Sequence, residues 1–102
     1  MIKVAVKKSH DKIYEIVIKG HADYDDMGKD IVCAAVSSMA ITTVNNIIAL
    51  DDSIRYEENS GLLKIRVEKD TEVNNKLLDV LVMMLKELSS QYPKNIEIRN
   101  ED

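Results

Sequence analysis

Residues 20 to 38 read GHADYDDMGKDIVCAAVSS, and within this stretch the chain changes from a strand pattern to a helix pattern. Before it, apolar residues stand at every second position from Tyr14 to Ile18, which predicts a β-strand. After it, apolar residues recur at helical spacing from Cys33 to Ile47. The polar loop between them is about ten residues long, and loops of that length are often functional. The stretch therefore predicts a strand, a loop and a helix in direct succession.

The helix is predicted to begin after Asp30, a residue type that commonly caps helix N-termini, and to run from Ile31 to about Leu50. The same two patterns place the other elements: strands at residues 2–7, 54–57, 63–68 and 95–99, and a second helix at 72–91 that ends before Pro93. The order ββαββαβ predicts an α+β two-layer sandwich, with two helices packed on one face of a mostly antiparallel sheet. The second helix is expected to face the core with Val73, Leu77, Val80, Leu81, Met84 and Leu88.

The composition is that of a soluble globular protein, with 45% hydrophobic and 31% charged residues. A chain of 102 residues is expected to form one domain, residues 1–102, with a core of Ile, Val, Leu and Met because Trp and Phe are absent. The net charge of −4 argues against sequence-independent nucleic-acid binding, which needs clustered Lys and Arg. A basic protein or peptide is the more natural partner.

The chain is expected to lie in the cytoplasm. It opens on a strand pattern rather than a signal peptide, and its single cysteine suits a reducing compartment. Residues 31–50 carry no charge, but we interpret them as a helix of a soluble protein rather than a membrane span. The reason is the six polar residues within them: Ser37, Ser38, Thr42, Thr43, Asn45 and Asn46.

Cys33 and His21 are the candidate reactive pair. If Asp30 caps the helix, Cys33 is its third residue, where free backbone N–H groups and the helix dipole favour a thiolate and offer donors to an oxyanion. Cys33 shares a helix face with Val36, so its sulfur is predicted to point toward the sheet, at the end where the second strand delivers His21. His10 lies in the turn at the other end of that strand, about 25 Å away, and is expected to be solvated. The alternative for Cys33 is a small buried hydrophobe.

The run Gly20-His21-Ala22, followed by Gly28 and then by DIVCAAVS at residues 30–37, resembles the signature of the ribosomal-processing cysteine protease family Prp. The resemblance extends over the whole chain in length and in element order. It implies a dimeric enzyme that removes a short N-terminal extension from ribosomal large-subunit protein twenty-seven. Cys33 would be the nucleophile and His21 the general base, with a mobile loop between them that closes on substrate.

Four further residues are candidates for supporting roles. Asp30 either orients His21 or only caps the helix. Ser37, one turn after Cys33, either lines the site or bonds back to a helix carbonyl. Gly20 and Gly28 give the loop special dihedral angles, as hinges or as plain turn residues.

Asp23, Asp25 and Asp26 form an acidic run that either is simply solvated or attracts a basic substrate peptide. A calcium loop is excluded, since its fifth and twelfth positions would be Met27 and Ala34, which lack oxygen ligands. No metal or other cofactor is expected, because the chain has no zinc-type cluster and no phosphate-binding glycine loop.

Two further expectations concern partners and rival functions. The first helix carries small neutral residues on its polar face, so this face is predicted to pack against the second helix or another subunit in a homodimer: Ser38, Thr42, Asn45 and Asn46. The rival to a cysteine endopeptidase is a non-catalytic ribosome-assembly or protein-binding module with Cys33 as a structural thiol. A redox sensor is disfavoured, since the chain has no resolving cysteine.

Overall fold

The computed structural model describes residues 1–20 and 27–101, and of residues 27–30 it describes the backbone alone. The elements follow the predicted order ββαββαβ, which confirms the α+β prediction. They are β1 (Ile2–Ser9), β2 (Lys12–Lys19), α1 (Met27–Leu50), β3 (Ile54–Asn59), β4 (Leu62–Val67), α2 (Glu72–Gln91) and β5 (Ile96–Glu101).

The five strands form one mostly antiparallel sheet in the order β3-β4-β2-β1-β5. Strands β1 and β2 pair as a hairpin, as do β3 and β4, and the two hairpins join through antiparallel β2–β4 pairing. Strand β5 pairs with β1 in parallel, since α2 carries the chain back across the sheet before β5 begins. The β2–β4 register sets Lys19 beside Leu62, so the tip of the second hairpin lies next to the end of β2.

The core lies between the sheet and the two helices. One face of the sheet turns apolar side chains toward α1 and α2, while the other face is a charged groove that includes Lys3, Lys7 and Lys19. Because alternate residues of a strand point to opposite faces, Ile2, Val4 and Val6 of β1 are buried on the helix-covered face, while Lys3 and Lys7 line the groove. From α1 the fully or almost fully buried residues are Val32, Val36, Ala40, Val44 and Ile47.

Helix α1 differs from prediction at its start. It begins at Met27, so Asp30 lies inside the first turn rather than at the N-cap. The sequence favoured Asp30 because it is a common capping residue directly before the apolar periodicity, yet a helix can extend upstream of its apolar stripe.

Residues 31–50 are long and apolar enough to cross a membrane by length and composition. In the fold, their apolar stripe packs into the core.

The polar face of α1 does not pack against α2, which removes one of the two predicted alternatives. All four of its residues are exposed in the single chain: Ser38, Thr42, Asn45 and Asn46. Contact with a second subunit stays a prediction for this face.

Helix α2 has the predicted bounds, and four of the six residues predicted to face the core pack within or against it: Val73, Leu77, Leu81 and Leu88. Val80 and Met84, predicted to face the core, are 43% and 38% exposed. The buried residues are Asn74, Leu78, Leu81, Val82 and Leu85. Among them is Asn74, a polar residue that the hydrophobic pattern excludes from the core. Its Nδ2 donates to Ser53 Oγ and to the Lys69 carbonyl, both at 2.7 Å, and these bonds permit its burial.

The β1–β2 turn consists of His10 and Asp11, with φ of 53° and 63°. Two positive φ values in a two-residue hairpin loop are typical of a type I′ turn, which favours Asn-Gly. We expect the double substitution His10→Asn and Asp11→Gly to raise the free energy of unfolding by about 1 kcal/mol, because left-handed backbone is costly for most side chains. Urea denaturation checks this, and an unchanged or lower midpoint would contradict the turn assignment.

Candidate active site

Cys33 lies in the second turn of α1, since the helix begins at Met27. Only the first four N–H groups of a helix lack partners within it, so the Cys33 N–H falls in the hydrogen-bonded part of α1. The expectation that Cys33 is the third helical residue with a free N–H is therefore wrong. Unpaired helical N–H groups belong instead to the first turn, residues 27–30.

The side chain of Cys33 has the predicted orientation. Cys33 is half-buried and packs against the core, between the buried residues Val32 and Val36. A catalytic cysteine must be reachable by its substrate, whereas a structural thiol is usually buried and inert. Cys33 is partly exposed at the rim of the core, so a substrate can reach its sulfur.

A cleft of about 130 Å³ opens beside Cys33. Its apolar lining includes Ile2 and Ile18 from the sheet and Val36 from α1. An apolar cavity of about 150 Å³ accepts a benzene molecule, so this cleft has room for about one side chain. Its polar lining, besides Cys33 itself, comes from Ser37 on α1 and from the tip of the second hairpin.

Gly20 forms part of the same cleft wall. Its N–H donates to the Gly61 carbonyl at 2.9 Å, which ties the end of β2 to the second hairpin. Gly20 has φ of 95°, and a Cβ atom at this position would lie 2.6 Å from the Met1 carbonyl oxygen. Both features require glycine and give Gly20 the role of a turn residue at a close backbone approach.

The end of β2 brings the chain to Cys33 just before His21. His21 follows Gly20 directly, and Gly20 and Cys33 line one cleft. His21 itself lies outside the described residues, as do Asp23, Asp25 and Asp26. The predicted contact between imidazole and sulfur therefore stays a prediction.

The other candidates fall into two groups. Ser37 is exposed and lies in the cleft wall one turn after Cys33. Gly28 and Asp30 lie in the first turn of α1, and the side chain of Asp30 is outside the described part of the chain. His10 is exposed in the turn at the far end of β2, as predicted, and takes no part in the cleft.

Sequence reasoning missed the contribution of the second hairpin to this site. Glu58, Asn59, Gly61 and Leu62 line the cleft from the β3–β4 tip. The NSG turn is visible in the sequence, but nothing local shows that β4 pairs with β2. That long-range pairing is what carries the tip to Gly20 and Cys33.

A larger groove of about 430 Å³ crosses the uncovered face of the sheet. It contains neither a cysteine nor a histidine among the described residues. Some of its charges form ion pairs: Glu15 lies 3.0 Å from the Lys7 ammonium and 3.7 Å from the Arg66 guanidinium. The hydrogen bond and charge of Glu15 raise the pKa of Lys7 above its ordinary value. Despite its size, this groove has no thiol among its described residues, so the smaller cleft beside Cys33 is the candidate active site.

Comparison with known proteins identifies a family of cysteine proteases. The sequence model of the family described as Cysteine protease Prp matches residues 1–97. The ribosomal processing cysteine protease Prp of Staphylococcus aureus is 32% identical over 91 residues, which cover 85% of this chain and 86% of that protein.

Solved structures of the S. aureus protease have the same fold. Its complex with a covalently linked product peptide superposes with a TM-score of 0.85 at 30% identity, covering 99% of this chain and 100% of the other. Its complex with a substrate peptide gives a TM-score of 0.80 at 28% identity, with the same coverage.

Proposed function

The chain belongs to the Prp family of cysteine proteases, and on that basis we propose that it processes a ribosomal protein precursor. The substrate is the precursor of ribosomal large-subunit protein twenty-seven, from which it removes a short N-terminal extension. Cys33 is the nucleophile and His21 the general base. One observation carries this assignment: Cys33 and Gly20, the residue before His21, line one cleft.

In the proposed reaction, His21 takes the proton of the Cys33 thiol and the thiolate attacks the scissile carbonyl. His21 then protonates the leaving amine, and water hydrolyses the thioester. The covalently linked peptide in the S. aureus relative supports covalent catalysis here. Oxyanion donors would come from first-turn N–H groups of α1 rather than from Cys33, because the Cys33 N–H lies within the helix ladder.

Supporting groups surround this pair. Ser37 contacts the substrate, a role supported by its position in the cleft wall. Asp30 orients His21, while Gly20 and Gly28 shape the intervening loop. The acidic run of Asp23, Asp25 and Asp26 attracts basic substrate, which would make the KM sensitive to salt.

The rival function, a non-catalytic ribosome-assembly or protein-binding module, needs Cys33 as a structural thiol. Half-burial beside a cleft does not favour it, since inert structural cysteines are usually buried. The extended precursor decides between the two. Mass spectrometry should find one new N-terminus after incubation with the protein, whereas an intact precursor, with folded protein present, would count against the protease.

The active form is a homodimer in the cytoplasm. The exposed neutral residues of α1 support a subunit contact, because a solvated helix face usually carries charged residues: Ser38, Thr42, Asn45 and Asn46. Sedimentation is expected to give a dimer at micromolar concentration, and substitution of Asn45 by Lys to weaken it. A monomer at that concentration would contradict the proposal.

A further inference from the structure

Glu58 is the one charged residue among the described residues that line the Cys33 cleft. It lies near the end of β3, is exposed to solvent, and makes no ion pair with any residue that the structure describes. Its neighbours in the cleft include the apolar side chains of Ile2, Ile18 and Leu63. A carboxylate in this setting remains available to a cation from outside the chain.

Strand geometry separates Glu58 from the adjacent Glu57. Glu58 is opposite Leu63, which is buried on the helix-covered face of the sheet. Glu57 is opposite Lys64, which lines the groove on the uncovered face. Since alternate residues point to opposite faces, two carboxylates adjacent in sequence lie on opposite sides of the sheet. Only Glu58 is on the side of Cys33.

We propose that Glu58 is a specificity-determining residue that binds a Lys or Arg side chain of the substrate peptide close to the scissile bond. This inference rests on the proposed function, because it assumes that a peptide occupies the cleft for attack by Cys33. The apolar lining accepts one side chain of that peptide. The carboxylate at its rim then favours a neighbouring residue with positive charge, as an ion pair near a protein surface is stronger than one in bulk water.

The test is a set of peptides that span the precursor cleavage site, with Lys or Gln placed in turn at each position near the scissile bond. For the unmodified protein, we expect Lys at one position to raise kcat/KM about fivefold over Gln, as for one exposed ion pair. Glu58→Gln should abolish that preference, and Glu58→Lys should reverse it in favour of Glu at the same position. High salt should weaken the Lys preference of the unmodified protein.

Glu57→Gln is the matched control, because it removes the same charge one residue away on the other face. It should keep the Lys preference. If Glu57→Gln and Glu58→Gln lose the Lys preference equally, the preference comes from the overall charge of the protein, and the proposal is overturned. A fall in kcat for every peptide in Glu58→Gln would also overturn it, since it would indicate a role in positioning the reacting groups.

Peptide binding to Cys33→Ala protein separates this inference from the proposed function. If no peptide or precursor is cleaved by the unmodified protein, the protease assignment fails. The Glu58 inference is still tested, because the Kd for Lys and Gln peptides can be measured without catalysis. Equal Kd values at every position would overturn it.

Discussion

Cys33→Ala is expected to lower the rate of precursor cleavage by about 10⁵-fold or more, which amounts to loss of detectable activity. The proposed mechanism has no other nucleophile: Cys33 is the only cysteine in the chain, and covalent attack cannot proceed without its sulfur. Single-turnover assays followed by mass spectrometry measure the rate. The protein should remain folded, because Cys33 is half-buried and alanine removes one atom from the edge of the core.

A relocated thiol is the sharpest control for this prediction. Ala34 is the next residue of α1 and is exposed, so Ala34→Cys combined with Cys33→Ala keeps one thiol but moves it out of the cleft. We expect the double variant to be as inactive as Cys33→Ala. Cleavage at the wild-type rate by either protein would remove Cys33 from the mechanism and favour the non-catalytic module.

Gly20→Ala is expected to lower the free energy of unfolding by about 2–3 kcal/mol. A side chain would be strained at φ of 95°, and its Cβ would lie 2.6 Å from the Met1 carbonyl oxygen, so the N-terminal backbone must shift. That shift disturbs β1 and the bond from the Gly20 N–H to the Gly61 carbonyl, which joins two walls of the cleft. The rate of precursor cleavage should therefore fall as well, even at temperatures well below the melting temperature, where the variant is folded.

Gly61→Ala is the matched control, because Gly61 also has a positive φ, of 76°. It measures the cost of placing a side chain on left-handed backbone. Urea denaturation of both proteins gives the comparison. A larger loss at Gly20 is expected from its contact with the Met1 carbonyl. If both variants lose the same free energy of unfolding, the contact of the new Cβ atom with the Met1 carbonyl oxygen does not destabilise the protein.

Local periodicity was sufficient for the element order and for the face of α1 that carries Cys33. Strands and helices differ in the spacing of their apolar residues, and that spacing is readable over a few turns or strand residues. The same reasoning was wrong where a single residue type misled it. Asp30 is a typical capping residue, yet α1 begins at Met27, and Asn74 is polar, yet it belongs to the stripe that α2 buries.

Neighbouring residues within one element or turn are enough to predict the ββαββαβ order, the family signature around Cys33, and the placement of His10 away from that site. Tertiary packing selects the pairing of β4 with β2, which brings Glu58 and Gly61 to the cleft. It also buries Asn74, through hydrogen bonds to residues that precede α2. Hydrogen bonds and packing between distant segments select among pairings that local patterns leave equivalent.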